Sequence, residues 1–449
     1  MSDISRPSVR AGSTSRSTPA HTVKQFWAYL RGKFLSFGIG HLLLILLGLH
    51  LFAMSFPSGN NQFVFDEAYY VPASRNLLAF VASNPEHPFF GKIWGALGIF
   101  LFGNDFFGYR IFYVIIGVLT VWVFYELALV FLSRERALFA ASFLGFETLF
   151  FIHTSLLLLE GPPLLFGLAA FLLYFKKHYY LSAIAFGLSV LSKEWGVYFI
   201  AAFILYHLIT SLTIPYNKKR AIQIVIFVMI IILVVGLPLW TYDAVYHPMT
   251  NTGVAITNPV QNFEYYANYQ SSLKISPGDA NNTWDHFAWG WINPFIRVNP
   301  SVYYATTITV TTQLPNGTSI HNTYHPVDWV GVGNLVIWYS IWAIIPLILV
   351  NLLLFRKQMK LSLFVGVWIA ATYLPSIYLS AFVHRVVYAF YFINVDPALA
   401  LGIPLLVALL SPESVKTQRI VLGVWLAAAI VFFILFFPVH PLDFAYVQG

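Results

Sequence analysis

The chain is dominated by long apolar segments separated by short polar gaps. A helix needs about 20 mainly apolar residues to cross a bilayer, and about eleven segments here approach or reach that length. They lie near residues 35–55, 111–131, 137–155, 162–175, 179–192, 195–213, 221–241, 334–355, 361–381, 387–410 and 420–437. Only 10% of the residues are charged, against about 25% in a soluble domain. The sequence therefore predicts an all-α, polytopic membrane protein.

The positive charges give the orientation of these segments. Most of the 25 lysine and arginine residues lie in the N-terminal tail or in alternate gaps, and such residues accumulate on the cytoplasmic side of membranes. We therefore expect a cytoplasmic N-terminus and an extracytoplasmic C-terminus. Residues 1–34 are rich in Ser, Arg, Pro and Thr, a composition that predicts a disordered cytoplasmic tail.

Two of the extracytoplasmic gaps are long. The first, residues 56–110, is predicted to carry short interfacial helices. The second, residues 242–333, is rich in Asn, Trp, Tyr, Thr and Pro and is predicted to form a small extracytoplasmic cap. These gaps divide the chain into a membrane core over residues 35–241, the cap, and C-terminal transmembrane helices over residues 334–449.

Several classes of protein are excluded by what the sequence lacks. It contains no cysteine, so disulfides, thiol catalysis and thiolate metal sites are excluded. It contains no Walker A or dinucleotide-binding motif, so ATP-driven transport has no support. The net charge of +7 is spread in small clusters between apolar segments, which does not indicate a nucleic-acid partner.

An adjacent pair of acids, Asp66 and Glu67, follows the first apolar segment. Charged residues beside a membrane are costly and often functional. Because neighbouring residues point in different directions, one carboxylate could face a site while the other fixes the loop or a partner cation. The alternative is that Asp66 caps a short interfacial helix over about residues 67–80.

Other polar residues converge on the same predicted face of the membrane. Arg110 could hold a lipid phosphate with two parallel hydrogen bonds, or it could be a simple interface anchor. Lys92 could meet a phosphate or extend its ammonium group to the interface. The remaining members of this group are His87, Glu160, Lys193, Glu194, His384, Arg385 and Tyr388. Acids mixed with phosphate-binding cations indicate a site for a polar head joined through phosphate to a lipid. Glu147, inside the third segment, is expected to have a structural role.

The order of these motifs resembles the GT-C class of polytopic glycosyltransferases, and most closely the protein O-mannosyltransferase family. The resemblance rests on Phe65-Asp66-Glu67, His87-Pro88 with Gly91-Lys92, Arg110, Glu160, and the segment from Gly187 to Trp195. The chain departs from the family where His87-Pro88 is followed by Phe89-Phe90 instead of Pro-Leu.

The resemblance implies a GT-C fold and an inverting transfer of mannose from a dolichyl- or polyprenyl-phosphate donor. The acceptors would be Ser or Thr hydroxyls of proteins or peptides on the extracytoplasmic face, beside membrane lipids. Asp66 would be the general base, supported by Glu67, and Arg110, Lys92 and Arg385 would hold the donor phosphate. The other residues of the group would support the site. We expect no metal cofactor, the alternative being a divalent cation on Asp66, Glu67 and Glu160, and a homodimer or heterodimer stays open.

Two other functions stay open from the sequence alone. One is a GT-C enzyme that transfers another sugar, such as aminoarabinose, to a lipid or glycan. The other is a secondary transporter, although transporters tend to show inverted repeats and polar residues near the middle of the membrane. Here the polar residues gather at one face and no repeat is visible, which favours the enzyme.

Overall fold

A computed structural model describes residues 38–58, 62–211, 218–275, 287–296, 301–305, 308–313, 317–324 and 328–440. The predicted disordered tail, residues 1–34, lies outside these ranges. The described helices are α1 (Ile39–Met54), α2 (Glu67–Leu78), α3 (Phe90–Phe102), α4 (Phe106–Ala128), α5 (Arg134–Gly145), α6 (Thr148–Ser155), α7 (Gly161–Phe175), α8 (Tyr179–Ser192), α9 (Gly196–Ser211), α10 (Lys218–Tyr246), α11 (Pro259–Ser272), α12 (Leu335–Trp338), α13 (Ile341–Val350), α14 (Met359–Ala381), α15 (Asp396–Leu410) and α16 (Val415–Leu435).

Short elements join these helices. Two 3-10 helices cover Ala288–Ile292 and Ala389–Asn394, and a π-helical turn covers Asn351–Phe355. The described strands are β1 (Ser301–Ala305), β2 (Ile308–Gln313), β3 (Ser319–Tyr324), β4 (Asp328–Gly331) and β5 (Val439–His440). They form a three-stranded antiparallel sheet in the order β1-β4-β5 and a β2-β3 hairpin.

The apolar segments of the sequence are helical, as predicted. Five helical stretches are long and apolar enough to cross a membrane: 106–128, 221–246, 335–355, 359–381 and 415–435. A sixth span results if α5 and α6, which meet at an angle of 66°, are taken together. The other apolar helices are shorter, so the count of eleven spans stays a prediction.

Helix α4 lies at the centre of the bundle, and α10 lies at its edge. α4 packs against α1, α3, α5, α6 and α7, and 56% of its apolar window is buried, compared with 17% for α10. Both helices are apolar on all sides, but α4 buries much more of its surface against other helices than α10 does. The exposed apolar surface of α10 is what a lipid-facing helix requires.

The predicted long gaps contain ordered structure. Residues 56–110 contain α2 and α3, as expected for interfacial helices, and α3 is apolar over most of its length. Residues 242–333 contain α11, a 3-10 helix and strands β1 to β4. The predicted boundary at residue 241 falls inside α10, which continues to Tyr246. The division into domains stays a prediction.

The break between α5 and α6 is built around Glu147. Its Oε2 accepts a hydrogen bond of 2.6 Å from the backbone N–H of Phe150, and its Oε1 accepts one of 2.9 Å from the N–H of Asn334. The side-chain amide of Asn334 donates to the carbonyls of Phe146, at 3.0 Å, and Ala429, at 2.9 Å. Glu147 and Asn334 thus satisfy the backbone groups that the bend frees, which is the structural role expected for Glu147.

We predict that Asn334→Ala destabilises the protein by about 1–3 kcal/mol, because it removes the side-chain donor to the carbonyl of Phe146 at the bend and to that of Ala429 in α16. The measurement is thermal unfolding of the purified protein in detergent. Asn268→Ala, at an exposed position of α11, is the control and should leave the melting temperature unchanged. Equal melting temperatures for the two variants would contradict this account of the bend.

Candidate active site

The two adjacent acids have different surroundings, and Glu67 is fully buried. Its carboxylate accepts two parallel hydrogen bonds from Arg110, with Nε at 2.8 Å from Oε1 and Nη2 at 2.6 Å from Oε2. It also accepts bonds of 3.0 Å from the backbone N–H groups of Val64 and Leu157. Four donors therefore satisfy a carboxylate that is 0% exposed.

Arg110 is buried to the same extent and does not face a donor site. Its Nη1 donates to the carbonyls of Met54, Phe56 and Pro57 at 2.7, 3.0 and 3.2 Å. The guanidinium thus ties the end of α1 to the start of α2. We had expected Arg110 to hold the donor phosphate, but a fully buried group that is occupied by Glu67 and three carbonyls is not available for that role. It fixes the loop that carries Asp66.

Lys92 is another predicted phosphate ligand that the structure places elsewhere. It is 1% exposed, and its ammonium group donates to the carbonyls of Asn84 and His87. The lysine therefore closes the turn before α3, because its ammonium group bonds to two backbone carbonyls of that turn. The prediction of a phosphate contact is not supported by this geometry.

Asp66 is half-buried and lies immediately before α2. The helix begins at Glu67, as the capping alternative predicted, but the Asp66 carboxylate makes no capping hydrogen bond. Its contact is the hydroxyl of Tyr70, which donates to Oδ2 at 3.3 Å. Burial and the charge of Glu160 raise the pKa of Asp66, while the charges of Lys193, His87 and His153 act in the opposite direction. The carboxylate therefore lies within electrostatic range of these groups.

The residue before Asp66 adopts an unusual backbone conformation. Phe65 has a φ of 52°, in the left-handed region that a bulky residue rarely occupies. Its N–H donates to the carbonyl of Tyr303 at 3.0 Å, and the two rings stack with centroids 4.4 Å apart. Strand β1, which carries Tyr303, thus holds this conformation in place and fixes the direction of Asp66.

Glu160 is held by a histidine and a lysine. His153 Nδ1 lies 2.7 Å from Oε2, and Lys193 Nζ donates to Oε1 at 2.5 Å. The other ring nitrogen of His153 lies 3.0 Å from the hydroxyl of Tyr303. Burial alone would raise the pKa of Glu160, but the charges of Lys193 and His153 lower it. The sequence analysis missed His153, whose isolated position in the apolar α6 was the available signal.

Glu194 belongs to a second network, which reaches Arg385. His87 Nδ1 lies 2.9 Å from Glu194 Oε2, and the amide of Gln270 donates to Oε1 at 3.0 Å. Arg385 donates from Nε to the carbonyl of Gln270 at 2.7 Å and from Nη2 to the hydroxyl of Tyr391 at 3.2 Å. Glu194, Gln270, Arg385 and Tyr391 line a cavity of about 150 Å³.

Arg385 differs from the buried cations Arg110 and Lys193, which each bind a carboxylate. It is 3% exposed, yet among the described residues no carboxylate lies within ion-pairing distance of it. Its acceptors are neutral oxygens of Gln270, Val386 and Tyr391. A buried charge without an opposite charge is costly, so the arrangement favours an anion in the cavity beside it.

The last two predicted residues lie at the edge of the site. His384 is exposed, and its backbone carbonyl accepts a bond of 3.1 Å from the N–H of Ile275. The ring of Tyr388 stacks on Phe390 at 5.4 Å. The structure therefore brings together Asp66, His87, Glu160, Lys193, Glu194 and Arg385, with His384 and Tyr388 at the rim.

The residues expected for a divalent cation do not fit that role. Within the described ranges, no group of three His, Asp or Glu side chains is arranged to hold a metal ion. Both oxygens of Glu160 bind His153 and Lys193, and Glu67 is occupied by Arg110. Of the three predicted carboxylates, only Asp66 has no cationic partner at ion-pairing distance.

An apolar groove of about 590 Å³ lies beside this site. It is lined by side chains of α2, α3 and the C-terminal half of α10, including Leu77, Ile93, Leu237 and Tyr242. Phe89, two residues after His87, also lines the groove and stacks on Tyr242 with centroids 4.6 Å apart. The groove therefore begins next to the turn that carries His87 and opens toward the lipid-facing helix α10.

Comparison with known proteins identifies the class. Residues 86–240, less than half of the chain, match the family model described as dolichyl-phosphate-mannose-protein mannosyltransferase. A search of curated proteins by sequence finds no match. The fold is similar to that of the S. cerevisiae protein O-mannosyltransferase Pmt1-Pmt2 complex bound to the sugar donor. The TM-score is 0.55 at 13% identity, over 89% of this chain and 89% of that chain.

Two other solved structures are similar in fold. ArnT from Cupriavidus metallidurans bound to undecaprenyl phosphate gives a TM-score of 0.50 at 16% identity, over 89% of this chain and 63% of that chain. The Archaeoglobus fulgidus oligosaccharyltransferase in the apo form gives 0.52 at 14% identity, over 90% and 56%. The chain thus spans less than two thirds of the length of these two proteins.

These findings confirm the predicted fold class and the resemblance stated from the motifs. The fold is that of the GT-C membrane glycosyltransferases, and the family match covers the part of the chain that carries His87, Arg110, Glu160 and Glu194. The chain therefore has the fold of the GT-C membrane glycosyltransferases, and its apolar helices are those of a multi-pass integral membrane protein.

We predict that Glu67→Gln destabilises the protein by about 3–5 kcal/mol, because it leaves the charge of Arg110 buried without its partner. Asp66→Asn is the matched control, since it removes the neighbouring carboxylate at the cost of a contact with Tyr70 only, and should cost less than about 1 kcal/mol. Unfolding of both variants in detergent measures the difference. A larger loss of stability in Asp66→Asn would contradict the assignment of Glu67.

Proposed function

We propose that the chain transfers mannose from a dolichyl- or polyprenyl-phosphate donor to Ser or Thr hydroxyls of proteins on the extracytoplasmic face, with inversion at the anomeric carbon. The family match over residues 86–240 and the similarity to the Pmt1-Pmt2 fold support this choice of sugar and acceptor. The orientation inferred from the positive charges, with the N-terminus in the cytoplasm, places the site on the outer face.

The observation that carries the proposal is the state of Asp66. Glu67, Glu160 and Glu194 each bind an Arg, Lys or His side chain at 2.9 Å or less. Among the described residues, Asp66 has no such partner, and it is half-buried rather than enclosed. A carboxylate in this state is free to accept a proton from an acceptor hydroxyl, and a positioned base of this kind typically contributes 10²–10⁴-fold to the rate.

Arg385 supplies the cation that the donor requires. A guanidinium binds phosphate oxygens with paired, charge-assisted hydrogen bonds, and that of Arg385 has neutral acceptors beside a cavity. The apolar groove between α2, α3 and α10 has the composition needed for a polyprenyl chain. The donor would then lie with its tail in the groove, its phosphate near Arg385 and its sugar toward Asp66.

The reaction follows from these positions. Asp66 takes the proton of the acceptor hydroxyl while the oxygen attacks the anomeric carbon, and the bond to the phosphate oxygen breaks. The lipid phosphate leaves as an anion, so it needs positive charge rather than a proton, and Arg385 supplies charge that is already in place. One displacement inverts the anomeric carbon. The site residues that hold Asp66 and Arg385 contribute by positioning, and no metal is assigned a role.

A GT-C transferase that moves another sugar to a lipid is the second candidate. The similarity to ArnT, at a TM-score of 0.50, favours it. It shares the base, the cation and the groove with the first proposal, so the two differ in the sugar and in the acceptor. The Pmt1-Pmt2 protein is a complex of two chains, and a dimer stays a proposal for this chain.

We predict that Asp66→Asn lowers the transfer rate by at least about 10²-fold while the affinity for the donor is retained, because the variant loses only the base. The measurement is transfer from polyprenyl-phosphate mannose to a Ser/Thr-rich peptide by the purified protein. A parallel assay with a lipid acceptor and a donor carrying another sugar separates the two candidates. Turnover near that of the wild type in Asp66→Asn would contradict the base assignment.

The transfer rate should also fall as the pH is lowered, and it should begin to fall at a pH above the ordinary pKa of an aspartate. Burial and the charge of Glu160 raise the pKa of Asp66, so the ionised base is present above that raised pKa and is lost as the pH falls through it. An ordinary aspartate titrates near 3.9. The measurement is kcat/KM against pH, and a rate that stays constant down to about pH 4 would exclude a raised pKa for the base.

A further inference from the structure

The C-terminal end of α11 is fastened to the segment that carries Arg385. The N–H of Val386 donates to the carbonyl of Leu273 at 2.9 Å, and the N–H of Ile275 donates to the carbonyl of His384 at 3.1 Å. The ammonium group of Lys274 donates to the carbonyl of Val383 at 2.9 Å. Residues 270–275 therefore cross beside residues 383–386 in a fixed register, which places the Gln270 side chain over Arg385.

The amide of Gln270 binds two opposite charges at once. Its Oε1 accepts from Nη2 of Arg385, and its Nε2 donates to Oε1 of Glu194 at 3.0 Å. A guanidinium can only donate and a carboxylate can only accept, so the orientation of the amide follows from its partners. Arg385 and Glu194 face each other across this one group and line the same cavity.

A neutral amide between a cation and an anion keeps both charges available. If Arg385 and Glu194 were in contact they would form a buried ion pair, and Glu194 would compensate the positive charge of Arg385. An amide can satisfy both groups because it has an acceptor and a donor. A carboxylate at this position would bind Arg385 but neutralise it, and a small side chain would let the two charges meet.

We propose that Gln270 is a positioning residue that separates Arg385 from Glu194 and so leaves the guanidinium without a carboxylate partner, available to the phosphate of the lipid donor. This inference rests on the proposed function, because it takes Arg385 as the phosphate ligand. It adds α11, outside the region that the family model matches, to the elements that build the donor site.

Gln270 also connects the two ends of the site. Beyond Glu194, the network continues to His87 at 2.9 Å. The ring of His87 lies edge-on to Tyr70 with centroids 5.9 Å apart, and the hydroxyl of Tyr70 donates to Asp66. Arg385 and Asp66 are thus joined through packed side chains. Because Gln270 contacts Arg385 directly and Asp66 only through this network, we expect a change at Gln270 to act first on donor affinity.

The test compares isosteric charge changes at two positions of one helix. Gln270→Glu keeps the shape of the side chain and an oxygen next to Arg385, whereas Gln261→Glu makes the same change at an exposed position of α11, where Oε1 accepts from Thr257. The probe is undecaprenyl phosphate without a sugar, titrated onto the full chain in detergent. Donor and acceptor KM are measured beside kcat.

The proposal expects Gln270→Glu to weaken undecaprenyl-phosphate binding roughly tenfold or more and to raise donor KM by a similar factor, with acceptor KM unchanged. Gln261→Glu should bind as the wild type does. Gln270→Ala should also bind weakly, and adding Glu194→Gln to it should restore affinity toward that of Glu194→Gln alone, because no anion is then left to capture Arg385.

Two results would overturn the inference while leaving the proposed function in place. The first is wild-type affinity in Gln270→Glu. The second is a double variant, Gln270→Ala with Glu194→Gln, that binds as weakly as Gln270→Ala. A wild-type chain that binds no undecaprenyl phosphate, or an Arg385→Met variant that binds it as the wild type does, would instead overturn the proposed function on which the inference depends.

Discussion

The buried pair of Glu67 and Arg110 is the interaction on which the site depends. It joins the end of α1, the start of α2, α4 and the segment before Glu160 through hydrogen bonds of 2.6–3.2 Å. Breaking such a pair by removing one partner typically costs about 3–5 kcal/mol, a large fraction of the stability of most proteins. Because Glu67 is held in this way, the adjacent Asp66 points elsewhere. Two neighbouring acids thus have separate tasks, one in the fold and one at the site.

The charges of the site are otherwise paired, and this pairing determines what chemistry is left. Glu160 binds Lys193 and His153, Glu194 binds His87, and Lys92 binds backbone carbonyls. Within the described part of the chain, Asp66 is the acid of the site that has no charged partner at contact distance, and Arg385 is the cation that has no such partner and also lines a cavity. The proposed reaction needs at least one base and one phosphate-binding cation, since the leaving group of a glycosyl phosphate needs no proton. The paired residues hold these two groups in place.

The helices could be predicted from the sequence, because apolar length acts locally, while the face of the membrane on which the site lies stays a prediction from the charge distribution. The division of Asp66 and Glu67 into a facing and a fixing residue also follows from their adjacency. The roles of Arg110 and Lys92 could not be predicted, since a cation beside an apolar segment looks the same in sequence whether it is buried or exposed. The roles of His153 and Gln270 could not be predicted either. His153 contacts Tyr303 and Gln270 contacts Arg385, and each of these partners lies more than a hundred residues away along the chain. Only the fold brings such pairs together.

The most direct measurement is an experimental structure of the protein with a bound polyprenyl-phosphate sugar. The account predicts that Arg110 keeps both hydrogen bonds to Glu67, that the phosphate contacts the guanidinium of Arg385, and that the anomeric carbon faces the carboxylate of Asp66. A phosphate bound by Arg110, with Glu67 released from it, would contradict the account. So would a donor whose sugar lies on the side of the loop away from Asp66.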